Sequence, residues 1–268
     1  MKILERKIGL LSLIAISIAG MLSGIFVLPG VAATQTGSSI WLAYLLAAIC
    51  ILPAVLSKSE LATAMPQSGG SYLYIERAFG PVFGTISGIG LWLSLILKSA
   101  FSLIGFGAYL LVITNILIIP IKYLALICLF LIMIINIFGV KKVGKIQLLF
   151  VSISIIGLLA LLFLSLPTVN SSLLNPFLLE GKQGLISTIA FVYISYAGVT
   201  KVAAIAGEVK NPNKNLPLAM ILSLFLITSI SIFISYALVG NIPLEELKND
   251  YKPIHTLSSI YFGEWFGY

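Results

Sequence analysis

A run of about twenty consecutive apolar residues is long enough to cross the hydrocarbon core of a bilayer as a helix. The chain carries several such runs, beginning with "SLIAISIAGMLSGIFVLPGVAA" at residues 12–33. A soluble domain has about 25% charged residues; this one has 9%, against 59% hydrophobic. A water-exposed fold has no use for that much apolar surface, so lipid must be the main solvent of the chain. Backbone polar groups in lipid must be satisfied internally, which leaves helices or closed barrels. The alternating pattern of a barrel strand is absent, and the class is therefore all-α integral membrane.

Seven spans are predicted, at about 8–33, 39–57, 81–113, 121–140, 146–166, 185–207 and 216–240. The start, "MKILERKIGLLSLIAISIAG", has the charged and apolar regions of a signal peptide. Its apolar run is too long for one and no small-residue cleavage site follows, so it is read as a retained first span. The stretch "SKSELATAMPQSGGSYLYIERAFG" is too interrupted to span and reads as a turn and an amphipathic segment at the interface. The longest outer connection is residues 167–184, "PTVNSSLLNPFLLEGKQG". It separates a first part, residues 1–166 with five spans, from a second, residues 185–268.

Basic residues collect at alternate ends of the spans. Lys2, Arg6 and Lys7, then Lys58 and Arg77, then Lys141, Lys142 and Lys145, then Lys210 and Lys214 lie on one side. The opposite connections hold only Lys122, Lys182, Lys248 and Lys252. Short cytoplasmic connections carry the Lys/Arg excess, which predicts a multi-pass protein of the cytoplasmic membrane with its N-terminus inside. The net charge of +7 is then explained by topology and inner-leaflet lipids, and no nucleic-acid partner is needed. Cys50 and Cys128 sit inside apolar runs and read as small core residues. The single histidine, His255, has no Cys or His companion nearby, so neither a metal site nor a nucleophile–base arrangement is indicated. No cofactor and no enzymatic role is expected.

Two spans are weakened at mid-depth. Span one carries Gly20, Ser23 and Gly24; span six carries "YISYAG" at residues 193–198. Small residues at i, i+4 also permit close helix packing, and for span one alone that reading is equally good. The two spans nevertheless open the two parts of the chain in corresponding places, and paired interruptions of this kind point to a transport site. Free N–H groups at a half-helix receive a carboxylate, and free carbonyls receive an ammonium.

Three stretches resemble the amino acid–polyamine–organocation (APC) superfamily of amino acid permeases. "SGIFVLPG" is similar to its span-one glycine motif. "PQSGGSYLYIERAFG" is similar to the Pro-x-x-Gly-Gly-x-Tyr-x-Tyr motif before span three. "SYAGVTKVAAIAGEVKNPNKNLP" is similar to span six running into a Glu-x-x-Asn-Pro turn. The resemblance implies a LeuT-type helical bundle of two inverted five-span repeats with spans one and six interrupted. It implies a secondary transporter moving amino acids by alternating access. The substrate carboxylate would meet the backbone of Ser23, Gly24 and Ile25, with Gly20 at the start of the break. The substrate ammonium would meet carbonyls of Ile194 and Ala197, with Tyr196 and Gly198 adjoining. This sequence departs from the family at three places: Leu22 stands where a glycine usually precedes the serine, Thr200 where an acidic residue often stands, and Ser154 where many proton-coupled members have a lysine. The coupling ion, proton or sodium, is left open.

Lys98 lies halfway along span three, too deep to snorkel easily, and an ionisable residue at that depth is a functional candidate. It is expected to point into the bundle, with Ser99, as pocket wall. Lys201 lies nearer the cytoplasmic end, where a structural role is at least as good a reading. The Pro66, Gly69, Gly70, Tyr72, Tyr74 motif is read as structural or gating, and Glu208 as a partner for a neighbouring lysine. No acidic residue falls at mid-depth, so neutral or acidic amino acids are expected over arginine, lysine or polyamines. The segment "HTLSSIYFGEWFGY" is similar to the lead-in to span eight. Spans eight to ten have no counterpart, so the second repeat is expected to be incomplete. Either a second chain supplies those spans, or the protein is a truncated or non-transporting one (a sensor, subunit or split half) on the same fold.

Overall fold

The computed structural model describes residues 6–114, 120–137, 140–248 and 250–263. Lys2 and residues 264–268 lie outside the described residues, as do the side chains of Lys141, Lys142 and Lys145. Five helical stretches are long and apolar enough to cross a membrane, and Lys122–Ile134 is a shorter apolar one. The first stretch, Leu10–Ala64, is 55 residues long and holds two helices, α1 (Leu10–Thr36) and α2 (Ile40–Ala64). They are joined at Gly37, whose φ of 68° suits a residue without Cβ. The others are α4 (Pro81–Thr114), α5 (Ile121–Ile137), α6 (Val140–Ser165), α7 (Gly181–Tyr196) and α8 (Pro212–Asn241). Among the described residues a helix falls within each of the seven expected spans, that in 121–140 being the shorter apolar one. Short helices α3 (Ser71–Phe79), α9 (Leu244–Leu247) and α10 (Pro253–Phe262) complete the chain. The expected amphipathic segment at the interface is α3.

The core is made by α1, α2, α7 and α8, the first two helices of each part. Met21 and Ile25 of α1, Tyr44 of α2, Tyr196 of α7, and Met220 and Ile234 of α8 are all buried there. Ser17 of α1 and Ser223 of α8 share a buried hydrogen bond of 2.6 Å across this core. In contrast α4 and α5 present exposed apolar side chains such as Trp92, Leu97, Leu126 and Phe130, the surface that a bilayer solvates.

Backbone contacts sort the connections into two ends. At one end Ile8 N donates to Glu208 O at 3.0 Å and Lys210 N donates to Ile8 O at 2.9 Å. Gly69 N also donates there, to Ala204 O at 3.1 Å. At the other end Leu179 N donates to Thr36 O at 3.2 Å, and Asn170 N donates to Gly240 O at 2.8 Å. Ile8 and the 65–80 and 208–211 connections thus share one end, and the 167–184 connection lies at the opposite one.

The interruption expected in span one is not seen: α1 is one continuous helix from Leu10 to Thr36. Its glycines serve close packing instead. A Cβ added to Gly20 would lie 2.9 Å from the Cα of Gly198, and one on Gly24 would overlap the Ser195 side chain. A helix that keeps its backbone bonds while letting another backbone touch it needs the same small residues as a broken one. Span six changes its winding at the expected place without leaving the helical region: Ala197 lies at φ −57°, ψ −17° and Gly198 at φ −61°, ψ −33°. α7 stops at Tyr196, and after Ala197 and Gly198 the chain continues as a 3-10 segment, Val199–Glu208. Ile205, inside that segment, is non-helical at φ −108°, ψ 15°.

Candidate functional site

The end of α7 sets the chemistry of the site. A helix that stops leaves its last carbonyls without α-helical donors. At membrane depth such groups need another partner. Lys98 of α4 supplies one: its ammonium donates to Ile194 O at 3.1 Å and to Ser195 O at 3.0 Å. An ammonium at mid-depth costs about 2.5–3.5 kcal/mol on the insertion scale, and carbonyl acceptors offset part of that. Each side of this contact therefore relieves the other. Ile194 O also accepts the N–H of Ala197 at 3.2 Å, and Ala197 O accepts the Thr200 hydroxyl at 3.2 Å.

Helix α1 passes against this end through Gly20 and Gly24. Its carbonyls just beyond that crossing receive tyrosine hydroxyls. Tyr44 of α2 donates to Gly24 O at 2.9 Å, and Tyr109 of α4 donates to Phe26 O at 2.8 Å. Between them, Ile25 O has no α-helical donor, because residue 29 is proline and lacks the N–H. Tyr196 stacks edge-on against Tyr44, with ring centroids 6.4 Å apart, and donates to Tyr44 O at 3.2 Å.

Lys98 lines two cavities, and another lies beside Ser94 and Ser99 of the same helix. The first, about 460 Å³, lies between α1, α4 and α7; Ser23, Ser94, Lys98, Phe101, Phe191 and Ser195 are among its walls. A second, about 490 Å³, includes Lys58, Ser71, Ser99, Ala197 and Lys201. A third, about 390 Å³, includes Gly20, Ser23, Lys98 and Lys201. Among the described residues no Asp or Glu lines any of the three. The first is mostly apolar, with Leu28, Leu93 and Leu97 beside the aromatic rings.

Most of the candidates from sequence come together here. Ser23, Gly24, Lys98 and Ile194 face the first cavity, Ser99 and Ala197 the second, and Gly20 the third. Lys98 points into the bundle as expected. Ile25 does not join them; it is buried in the core and lines none of these cavities. Tyr196 is buried against Tyr44, and Gly198 is the contact for Gly20. Because α1 is continuous, the N–H groups of Ser23, Gly24 and Ile25 are committed within the helix. The hydroxyl of Ser23 and the Lys98 ammonium are what that wall offers a carboxylate.

Several residues escaped the sequence reading. Ser94 stands one turn before Lys98 and Phe101 one turn after it, so both share its helix face; the i, i±3/4 rule was the available signal. Tyr44 and Tyr109 carried no signal beyond being tyrosines inside spans. The Gly69–Gly70 pair lies in a turn, as expected, but its docking carried no sequence signal. Its backbone is joined to the 3-10 segment through Gly69 and Ala204, and Gly70, at φ 60°, lies 3.4 Å from Ala204 Cα by its absent Cβ. On α3, outside the spans, a hydrogen bond with Glu76 pushes the Tyr72 phenol up and burial does the same to Tyr74, so both are neutral anchors.

The described residues define a class, the all-α multi-pass membrane proteins, here with polar groups gathered where α1 and α4 meet the end of α7. The chain belongs to the amino acid permease family, whose model matches residues 12–262. It is similar to the branched-chain amino acid permease BcaP of Bacillus subtilis (26% identical, covering 94% of this chain and 58% of the relative). It is similar as well to the serine/threonine exchanger SteT of that organism (29% identical, 91% and 57%). A methylthioribose transporter of Bacillus subtilis is 28% identical over 92% of this chain and 58% of its own length. The chain thus spans a little under three-fifths of the length of these relatives.

Proposed function

We propose that the protein is a secondary transporter that takes amino acids across the cytoplasmic membrane by alternating access. The observation that carries this reading is the junction of Lys98, the open end of α7 and the cavity against Ser23 and Gly24. Family membership and the names of the relatives support it. The cavity favours neutral or acidic amino acids: its charge is positive, and a cationic side chain would find no carboxylate among the described residues of its walls. The Lys/Arg distribution supports a cytoplasmic N-terminus, and the shared end of Ile8, Gly69 and Lys210 agrees with it. Residues 1–166 act as the first repeat and residues 185–268 as the part that supplies α7 and α8 to the core.

The test is equilibrium binding to the purified chain in detergent, with uptake into proteoliposomes alongside. Labelled leucine and serine are expected to bind, and excess arginine or putrescine to leave them in place. Tight binding of arginine or putrescine with no response to neutral amino acids would contradict the reading.

A further inference from the structure

We propose that Lys98 permanently takes the place of the ligand's ammonium, so that the site accepts organic carboxylates that have no amino group. The proposal rests on the transport reading above and narrows its substrate class. The carbonyls at the end of α7 are where a ligand ammonium would be received. A carbonyl has two lone pairs. Ile194 O already has two donors, the Ala197 N–H at 3.2 Å and Lys98 Nζ at 3.1 Å. Ser195 O accepts Lys98 at 3.0 Å, and Ala197 O accepts Thr200 Oγ1 at 3.2 Å. The lysine side chain is thus a tethered cation in the ammonium half of the site.

The other half asks for an anion. Two of the three N–H donors of Lys98 point to carbonyls, and one is left for a ligand. Ser23 and Ser94 add hydroxyls, and among the described residues the walls hold no carboxylate that would repel an anion. Beyond them the cavity is apolar, with Leu93, Leu97, Phe101 and Phe191. One positive charge, two hydroxyls and an apolar chamber of about 460 Å³ match a monocarboxylate with a short branched or aromatic tail. A 2-oxo or 2-hydroxy acid fits at least as well as the corresponding amino acid. An amine without a carboxylate offers Lys98 no anion, and its ammonium meets a like charge.

The test compares ligands with the same tail on the detergent-solubilised protein. Labelled leucine and labelled 4-methyl-2-oxopentanoate are measured separately, with 3-methylbutylamine as competitor. The oxo acid is expected to bind at least as tightly as leucine, whose ammonium meets the like charge of Lys98 in the place it would take, and the amine not to compete. In Lys98→Met the oxo acid should weaken by about tenfold or more, while Lys98→Arg retains it; thermal unfolding of each variant checks that the fold survives. Leucine binding without any binding of the oxo acid overturns this proposal and leaves the amino acid reading standing. Oxo-acid binding without leucine binding supports the proposal and overturns that reading. If neither binds, both fall. Unchanged oxo-acid affinity in a folded Lys98→Met protein removes Lys98 from the site.

Discussion

Lys98 and Gly24 do opposite things at the same place: one adds a charge at membrane depth, the other removes a side chain so that two backbones meet. Each was legible in sequence for a physical reason. A lysine halfway along an apolar run has few innocent explanations, and a glycine at i+4 from another marks either contact or fracture. The choice between contact and fracture was not legible, since both need a missing Cβ. A direct check is Gly24→Ala. Its Cβ would overlap the Ser195 side chain, and overpacking of this kind costs about 1–3 kcal/mol. The expected result is a lower unfolding midpoint in detergent. In α6, Gly157→Ala meets nothing within 4 Å and should leave the midpoint unchanged or raise it. Equal behaviour of the two variants would mean that α1 does not touch α7 at Gly24.

At the scale of elements, the two weakened spans turned out differently. α1 carries Gly20, Ser23, Gly24 and Pro29 and stays helical, its carbonyls at Gly24 and Phe26 supported by Tyr44 and Tyr109. α7 gives way at Ala197 and Gly198, where Lys98 and Thr200 supply the donors that the helix no longer provides. Apart from Thr200, three residues on, those supporting groups come from other helices, up to 97 residues away for Lys98 and Ser195, which is why no local pattern announced the outcome. The α1–α8 contact is equally invisible locally. Ser17 and Ser223 bond across 206 residues of sequence. Interhelical bonds in membranes average about 0.6 kcal/mol because the separated helices find other partners. A double-mutant cycle on Ser17→Ala and Ser223→Ala should return a coupling of that size. A coupling of zero would show that the two hydroxyls do not bond.

At the scale of the molecule, α1 and α2 interlock with α7 and α8 into one core, and α4 lies along its side with Lys98 reaching in. The spans and the helical class were readable from apolar run lengths alone, because lipid imposes the same length on every crossing. The grouping of connections at two ends was readable from lysines and arginines. The shape of the site was not, since its walls come from α1, α4 and α7 and only their mutual placement makes a cavity.

The central claim is that this cavity beside Lys98 is where ligand binds. Cysteine reactivity tests it on a chain in which Cys50, exposed, and Cys128, buried, are first replaced by serine. Ser94→Cys places a thiol on the cavity wall, and Ser171→Cys places one in the 167–184 connection, away from it. Saturating leucine, or the oxo acid, should slow maleimide labelling of Ser94→Cys and leave Ser171→Cys unaffected. Bound ligand that leaves both labelling rates unchanged would contradict the account.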